Sequence, residues 1–179
     1  MKHIVLSPFS NSSIRDWPAR RYAELAALLV RHWPEGLIRI TGTRNQWIAA
    51  CGIVRHLPAD RVVNECGRMS WNELVASVRT ASCVVGNNSG ICHLSGHLGV
   101  PTVSVFGGSH SRWEWRPLGP NVIVVTRAIG CSPCQLDHNA VSPYRKACLR
   151  EIEAEDVMKA VFLAMKGEPL AAAAIGSNW

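Results

Sequence analysis

What this sequence lacks narrows its chemistry before any motif is considered. None of its apolar runs reaches the ~18 to 20 residues that a bilayer-spanning helix requires, and the opening MKHIVLSPFS turns polar at Ser7 and Pro8, too early for a secretory leader. The expected location is therefore cytoplasmic. No G-x-G-x-x-G follows the first apolar run, which argues against an NAD-dependent oxidoreductase. His93 and His97 stand four apart on one helix face, but HLSGH lacks the Glu of HExxH and has no third ligand nearby, so no metal pair is expected there. The basic residues form no continuous run, and no nucleic-acid-binding signature is present, so no nucleic-acid partner is expected. Acid is also scarce: 13 Asp and Glu stand against 19 Lys and Arg, a net charge of +6. That imbalance suits a small phosphorylated ligand or an anionic membrane face.

The 179 residues suffice for one domain with its own core. Short β-branched runs at 3–7, 37–42, 61–66, 83–87, 101–107 and 121–126 read as strands. Between them lie helical segments at 16–33, 45–56, 70–79 and 89–98, and another follows at about 153–165. Asp16 is the expected N-cap of the first helix, and Ser70 with Glu73 forms a capping box. Regular strand–helix alternation implies an α/β Rossmann-like parallel sheet with helices on both faces. The strands CVVG and TVSVF lack polar alternation, as central parallel strands do. One domain, 1–179, is expected, with a cysteine-bearing loop at about 128–150 and a C-terminal tail at 167–179.

In such a sheet, ligands sit beyond the carboxyl ends of the strands. Three loops there are small and polar: Pro8 to Asp16, Asn87 to Gly90, and Gly107 to Arg112. The second opens a helix, whose free N–H groups and dipole attract a phosphate. Ser89 could instead simply cap that helix, and His97 could be a core histidine. Three such loops at one edge favour a ligand.

These residues resemble the glycosyltransferase family 9 signature, that of the ADP-heptose:lipopolysaccharide heptosyltransferases. VVGNNSGICHLSGHLGVPTVSVFGG is similar to the family's strand, D-[ST]-G-x-x-H segment, helix and V-P strand. SPFSNSSIRDWP is similar to its P-G-A…K-x-W-P segment, with Arg15 at the lysine position, and CSPCQLDHNAVSPYRKACLREIEAEDV to its later cysteine-bearing stretch. The resemblance implies the C-terminal, donor-binding half of a GT-B glycosyltransferase, an inverting enzyme taking a nucleotide-diphosphate sugar of the ADP-heptose kind. It implies diphosphate stabilisation by Arg15 and His93. Donor contacts would come from Ser12, Ser13, Asn88, Ser89, Gly90, Gly108 and Ser109, and no metal would be required for transfer. The acceptor, a glycan or lipid-linked sugar of lipopolysaccharide biosynthesis, and the catalytic base would belong to an N-terminal domain without counterpart here. The chain alone would then lack activity, and peripheral contact with the inner membrane is a further expectation. Asn88 stands where the family carries Asp, and GTRNQ follows the second strand where an acid near the nucleoside is usual.

The seven cysteines of a cytoplasmic chain are expected to be reduced thiols. Cys51, Cys66, Cys83 and Cys92 read as buried core residues. Cys131, Cys134 and Cys148, with His138, could hold structural zinc or iron, or could pack an irregular loop as thiols. A non-catalytic nucleotide-binding module and a metal-stabilised interaction domain remain open beside the transferase.

Overall fold

A computed structural model describes residues 2–136, 141–142 and 144–167. Six strands form one sheet: β1 (His3–Ser7), β2 (Leu37–Ile40), β3 (Val62–Asn64), β4 (Cys83–Asn87), β5 (Thr102–Phe106) and β6 (Val122–Thr126). Every pairing is parallel, in the order β3-β2-β1-β4-β5-β6. The chain starts at the centre, builds outward on one side, then crosses over and builds outward on the other. Leu6 lies beside Ile40 on one side and Val85 on the other. This is the doubly wound α/β arrangement, with its topological switch point between β1 and β4.

The helices are α1 (Ala19–His32), α2 (Trp47–Val54), α3 (Trp71–Arg79), α4 (Gly90–His97), α5 (Arg112–Trp115), α6 (Ala147–Arg150) and α7 (Ala154–Lys166). Two one-turn 3-10 segments, Ser13–Arg15 and Arg44–Gln46, fall in the β1–α1 and β2–α2 connections. Alternation along β1 divides the core. Ile4 and Leu6 pack with Tyr22, Leu25 and Leu29 of α1 and with Val157 and Val161 of α7. Val5 points the other way, to Val78 of α3 and Val84 of β4. All five residues of β1, β4 and β5 are buried, whereas β6, at the edge, alternates half-buried and buried. Each fully buried Leu or Ile contributes about 1.5–3 kcal/mol.

The capping box forms as the sequence implies: Ser70 Oγ accepts from Glu73 N (3.3 Å), and Glu73 Oε2 accepts from Ser70 N (2.7 Å). The expected cap of α1 does not. Pro18 occupies the N-cap position, and Asp16 instead accepts from Ser10 N (2.9 Å) and Asn87 Nδ2 (3.0 Å). Its carboxylate ties two loops together rather than opening a helix. Cys66, Cys83 and Cys92 are buried as expected, but Cys51 is exposed, because it lies on the outer face of α2. Gly86 permits close packing of β4 on α4, since a Cβ there would lie 2.8 Å from Cys92 Sγ and 3.2 Å from Ser7 O.

Candidate functional site

Beyond the carboxyl ends of β1, β2 and β4 lies a cavity of about 730 Å³. It sits at the switch point, where diverging connections leave a crevice. Among the described residues no Asp or Glu lines it, whereas Arg15 and Arg44 do. The site therefore carries positive charge without an internal counter-ion.

A buried knot positions its walls. Asn87, at the end of β4, is completely buried and makes four hydrogen bonds. Its Oδ1 accepts from Trp17 N (3.0 Å) and Tyr22 Oη (2.9 Å); its Nδ2 donates to Pro8 O (2.7 Å) and Asp16 Oδ1 (3.0 Å). One amide thus fixes the end of β1, the β1–α1 loop and the start of α1. Burial pushes the Tyr22 hydroxyl well above its ordinary pKa and raises the Asp16 carboxyl, the latter against hydrogen bonds from Ser10 and the nearby charges of Lys146 and Arg15. Lys146 Nζ donates to Ser13 O (2.8 Å), closing the loop from outside.

Held this way, Arg15 reaches the start of α4. Its Nη1 donates to Asn88 O (3.4 Å), its Nη2 to Asn11 Oδ1, and its buried Nε has no partner among the described residues. Ser89 is the N-cap of α4 by backbone geometry, and its carbonyl accepts from Cys92 N (3.0 Å) and His93 N (3.4 Å). Its hydroxyl makes no capping bond and sits buried beside the Cys92 thiol. Ser89, Gly90 and Ile91 line the cavity, and a Cβ on Gly90 would meet nothing within 4 Å. The first-turn N–H groups of an eight-residue helix therefore face a roomy, carboxylate-free space beside a guanidinium. Such an arrangement can hold a diphosphate.

The other expected residues divide. Asn88 is buried beside the cavity, its Oδ1 3.4 Å from His93 Nε2; His93 and His97 are both exposed, so His97 is not a core histidine. Ser12 is buried with a hydroxyl that has no partner among the described residues, while Ser13 is exposed and its carbonyl accepts from Asp16 N (3.3 Å) and Lys146 Nζ (2.8 Å). Gly108 lines a second, smaller cavity of about 200 Å³ beyond β5 and β6. Ser109 is buried and pairs with His110 Nδ1 (3.0 Å).

The cysteine loop braces that second cavity. Gly108 N donates to Cys148 Sγ (3.3 Å), and Cys134 N to Gly108 O (2.8 Å). Burial raises the Cys148 thiol pKa, with the neighbouring Cys131 and Cys134 adding to the shift and the Gly108 N–H opposing it. Among the described residues no group of three His, Cys, Asp or Glu is arranged to hold a metal, and His138 lies outside them, as do residues 168–179 of the tail. No helix is long and apolar enough among these residues to cross a membrane. Arg44 and Gln46, within the GTRNQ segment after β2, form a further wall of the cavity, and Met69 and Trp71 form another that the motifs did not reveal. The latter two follow β3, where no glycine or serine cluster marks a ligand.

A family model described as glycosyltransferase family 9 (heptosyltransferase) matches residues 1–145. Lipopolysaccharide heptosyltransferase 1 of Campylobacter coli is 24% identical over 163 residues, 89% of this chain and 46% of that protein. The structure of E. coli ADP-heptose lps heptosyltransferase II superposes with a TM-score of 0.78 at 20% identity, over 93% of this chain and 47% of the other. That of E. coli heptosyltransferase WaaC with ADP gives 0.63 at 24% identity, over 80% and 43%. The chain spans about half the length of the relatives it matches.

Proposed function

The chain belongs to glycosyltransferase family 9, and from that premise we propose that it is the donor-binding half of an inverting glycosyltransferase, holding a nucleoside-diphosphate sugar in the cavity at the switch point. The observation that carries this reading is the meeting of Arg15 with the start of α4 in a cavity that, among the described residues, no carboxylate lines. The named relatives make ADP-heptose the reference donor. The acceptor, a glycan or lipid-linked sugar, and the base that deprotonates it belong to a second domain facing this one.

In the proposed reaction the acceptor oxygen bonds to the anomeric carbon as the bond from that carbon to the diphosphate oxygen breaks. The diphosphate leaves with the electron pair, and the acceptor proton passes to the base. Negative charge therefore grows on the diphosphate. The Arg15 guanidinium and the N–H groups at Gly90 and Ile91 are preorganised to meet it, and in this reading His93, on the first turn of α4, adds a further donor. This reading assigns the neutralising charge to the chain itself, so nucleotide binding is expected to survive EDTA.

Calorimetric titration with ADP, GDP and UDP tests it, with Gly90→Glu as the decisive variant. The added side chain enters open space, and a carboxylate in the first turn favours the helix. Folding stability is expected to hold or rise while nucleotide affinity falls at least tenfold. Equal affinity in wild type and Gly90→Glu removes the diphosphate from α4 and refutes the reading.

A further inference from the structure

Resting on the donor-cavity reading, we propose that Trp71 is the platform on which the base of a purine nucleoside diphosphate stacks. Trp71 is the first residue of α3 and is 63% exposed, although it lines the main cavity. Its backbone is held by the Ser70–Glu73 capping box, so an indole face stands in water on a fixed support. Met69 and Leu74 line the same end, giving apolar surface beside the indole.

The distances suit such a ligand. Arg15, Ser89 and Gly90 lie by β1 and β4, whereas the segment bearing Trp71 follows β3. β3 and β4 are three strand spacings apart, about 14 Å across the sheet. A nucleoside diphosphate with its phosphates at α4 carries its base across that width.

Several acceptors at this end are already engaged, which leaves stacking a substantial share of the affinity. In dinucleotide-binding folds a carboxylate after the second strand commonly holds the ribose diol; here the described residues lining the cavity include none. Gln46 Oε1 is taken by Thr43 N (2.8 Å), and the carbonyls of Gly42 and Thr43 by Gly67 N (2.8 Å) and Gln46 N (3.0 Å). Arg44 also lines this end and makes no ion pair or ring contact among the described residues. Its planar cation can cover a base from the side opposite the indole. A purine covers more of the indole than a pyrimidine, which sets the preferred class.

Titration of the whole chain with ADP, GDP, UDP and inorganic diphosphate, in wild type, Trp71→Ala and Trp71→Phe, separates the base from the phosphates. Trp71→Ala is expected to weaken ADP and GDP by about 5- to 150-fold, the range that removal of a base–aromatic stack produces. UDP is expected to lose less, inorganic diphosphate to stay within about twofold, and Trp71→Phe to retain most of the purine affinity. Unchanged purine affinity in Trp71→Ala overturns the proposal, as does an equal loss for inorganic diphosphate, which marks a structural effect. An equal loss for UDP overturns the purine assignment. Failure of the wild type to bind any of the four ligands refutes the donor-cavity reading itself, and this proposal with it.

Discussion

Replacement of Asn87 by Ala is the sharpest test of how the site is built. The variant removes four hydrogen bonds from a completely buried side chain. A net worth of ~0.5–1.5 kcal/mol each gives about 2–6 kcal/mol, with a central value near 4. The buried Tyr22 hydroxyl and the Trp17 amide lose an acceptor together, which moves the cost towards the upper half. Against a domain stability of ~5–15 kcal/mol this is a large fraction. Urea unfolding followed by far-UV circular dichroism measures it, with the slope of the transition expected to stay constant. Asn87→Asp adds a second signature. It keeps the acceptor towards Trp17 and Tyr22 but turns an oxygen towards Pro8 O and the Asp16 carboxylate. That variant is expected to be strongly destabilised at neutral pH and to recover relative to wild type as acid protonates one of the two carboxyls. A loss below about 1 kcal/mol in Asn87→Ala refutes the view that this amide organises the β1–α1 loop.

Three further outcomes follow from the same geometry. The Asp16 carboxyl is raised above its ordinary 3.8 because burial outweighs the Ser10 hydrogen bonds and the nearby positive charges. The folded chain then binds that proton more tightly than the unfolded chain, and Asp16's contribution to stability falls as pH rises from below 3.8 through the folded value. Asp16→Asn is expected to flatten this acid-range decline in urea midpoints; parallel curves contradict it. In Gly108→Ala the new Cβ would lie 2.1 Å from Ser132 Oγ, for an expected cost of about 1–3 kcal/mol that Ser132→Ala partly recovers in thermal melts. With iodoacetamide at pH 8, mass spectrometry is expected to find the exposed Cys51 labelled early. The buried Cys66, pushed up to about 11, Cys92, pushed up to about 12, and Cys83, pushed higher still, stay silent until urea is added.

The strands were legible because six short apolar runs separated by turn residues have few other ways to be buried, and α3 because Ser70 and Glu73 announce its start. The helix after β4, which opens at Gly90, followed from the same local grammar. Segments of three or four residues, such as α5, α6 and the two 3-10 turns, carry too little periodicity to be read. The assignment of Asp16 as a cap failed because a distant residue, Asn87, and the backbone of Ser10 compete for its carboxylate. Cys51 misled because an apolar neighbourhood in sequence does not tell which face of α2 turns outward. Trp71 and Met69 escaped notice for a different reason. Their common cavity exists only once β3, β2, β1 and β4 are laid side by side, and no spacing along the chain encodes that order.

The last helix has a bearing on how the protein is made. α7 covers the same side of the sheet as α1, and Trp17 Nε1 donates to Ile152 O just before α7 begins. From Leu29 to Ala164 is 135 residues, so at ~5–20 residues per second the ribosome needs roughly 7 to 27 s between them. For that interval the apolar stripe of Tyr22, Leu25, Ala26 and Leu29 has no partner from α7. The nascent chain therefore carries a sticky helix face throughout that interval. Substitutions that weaken α7 will lower the yield of soluble protein before they alter any affinity.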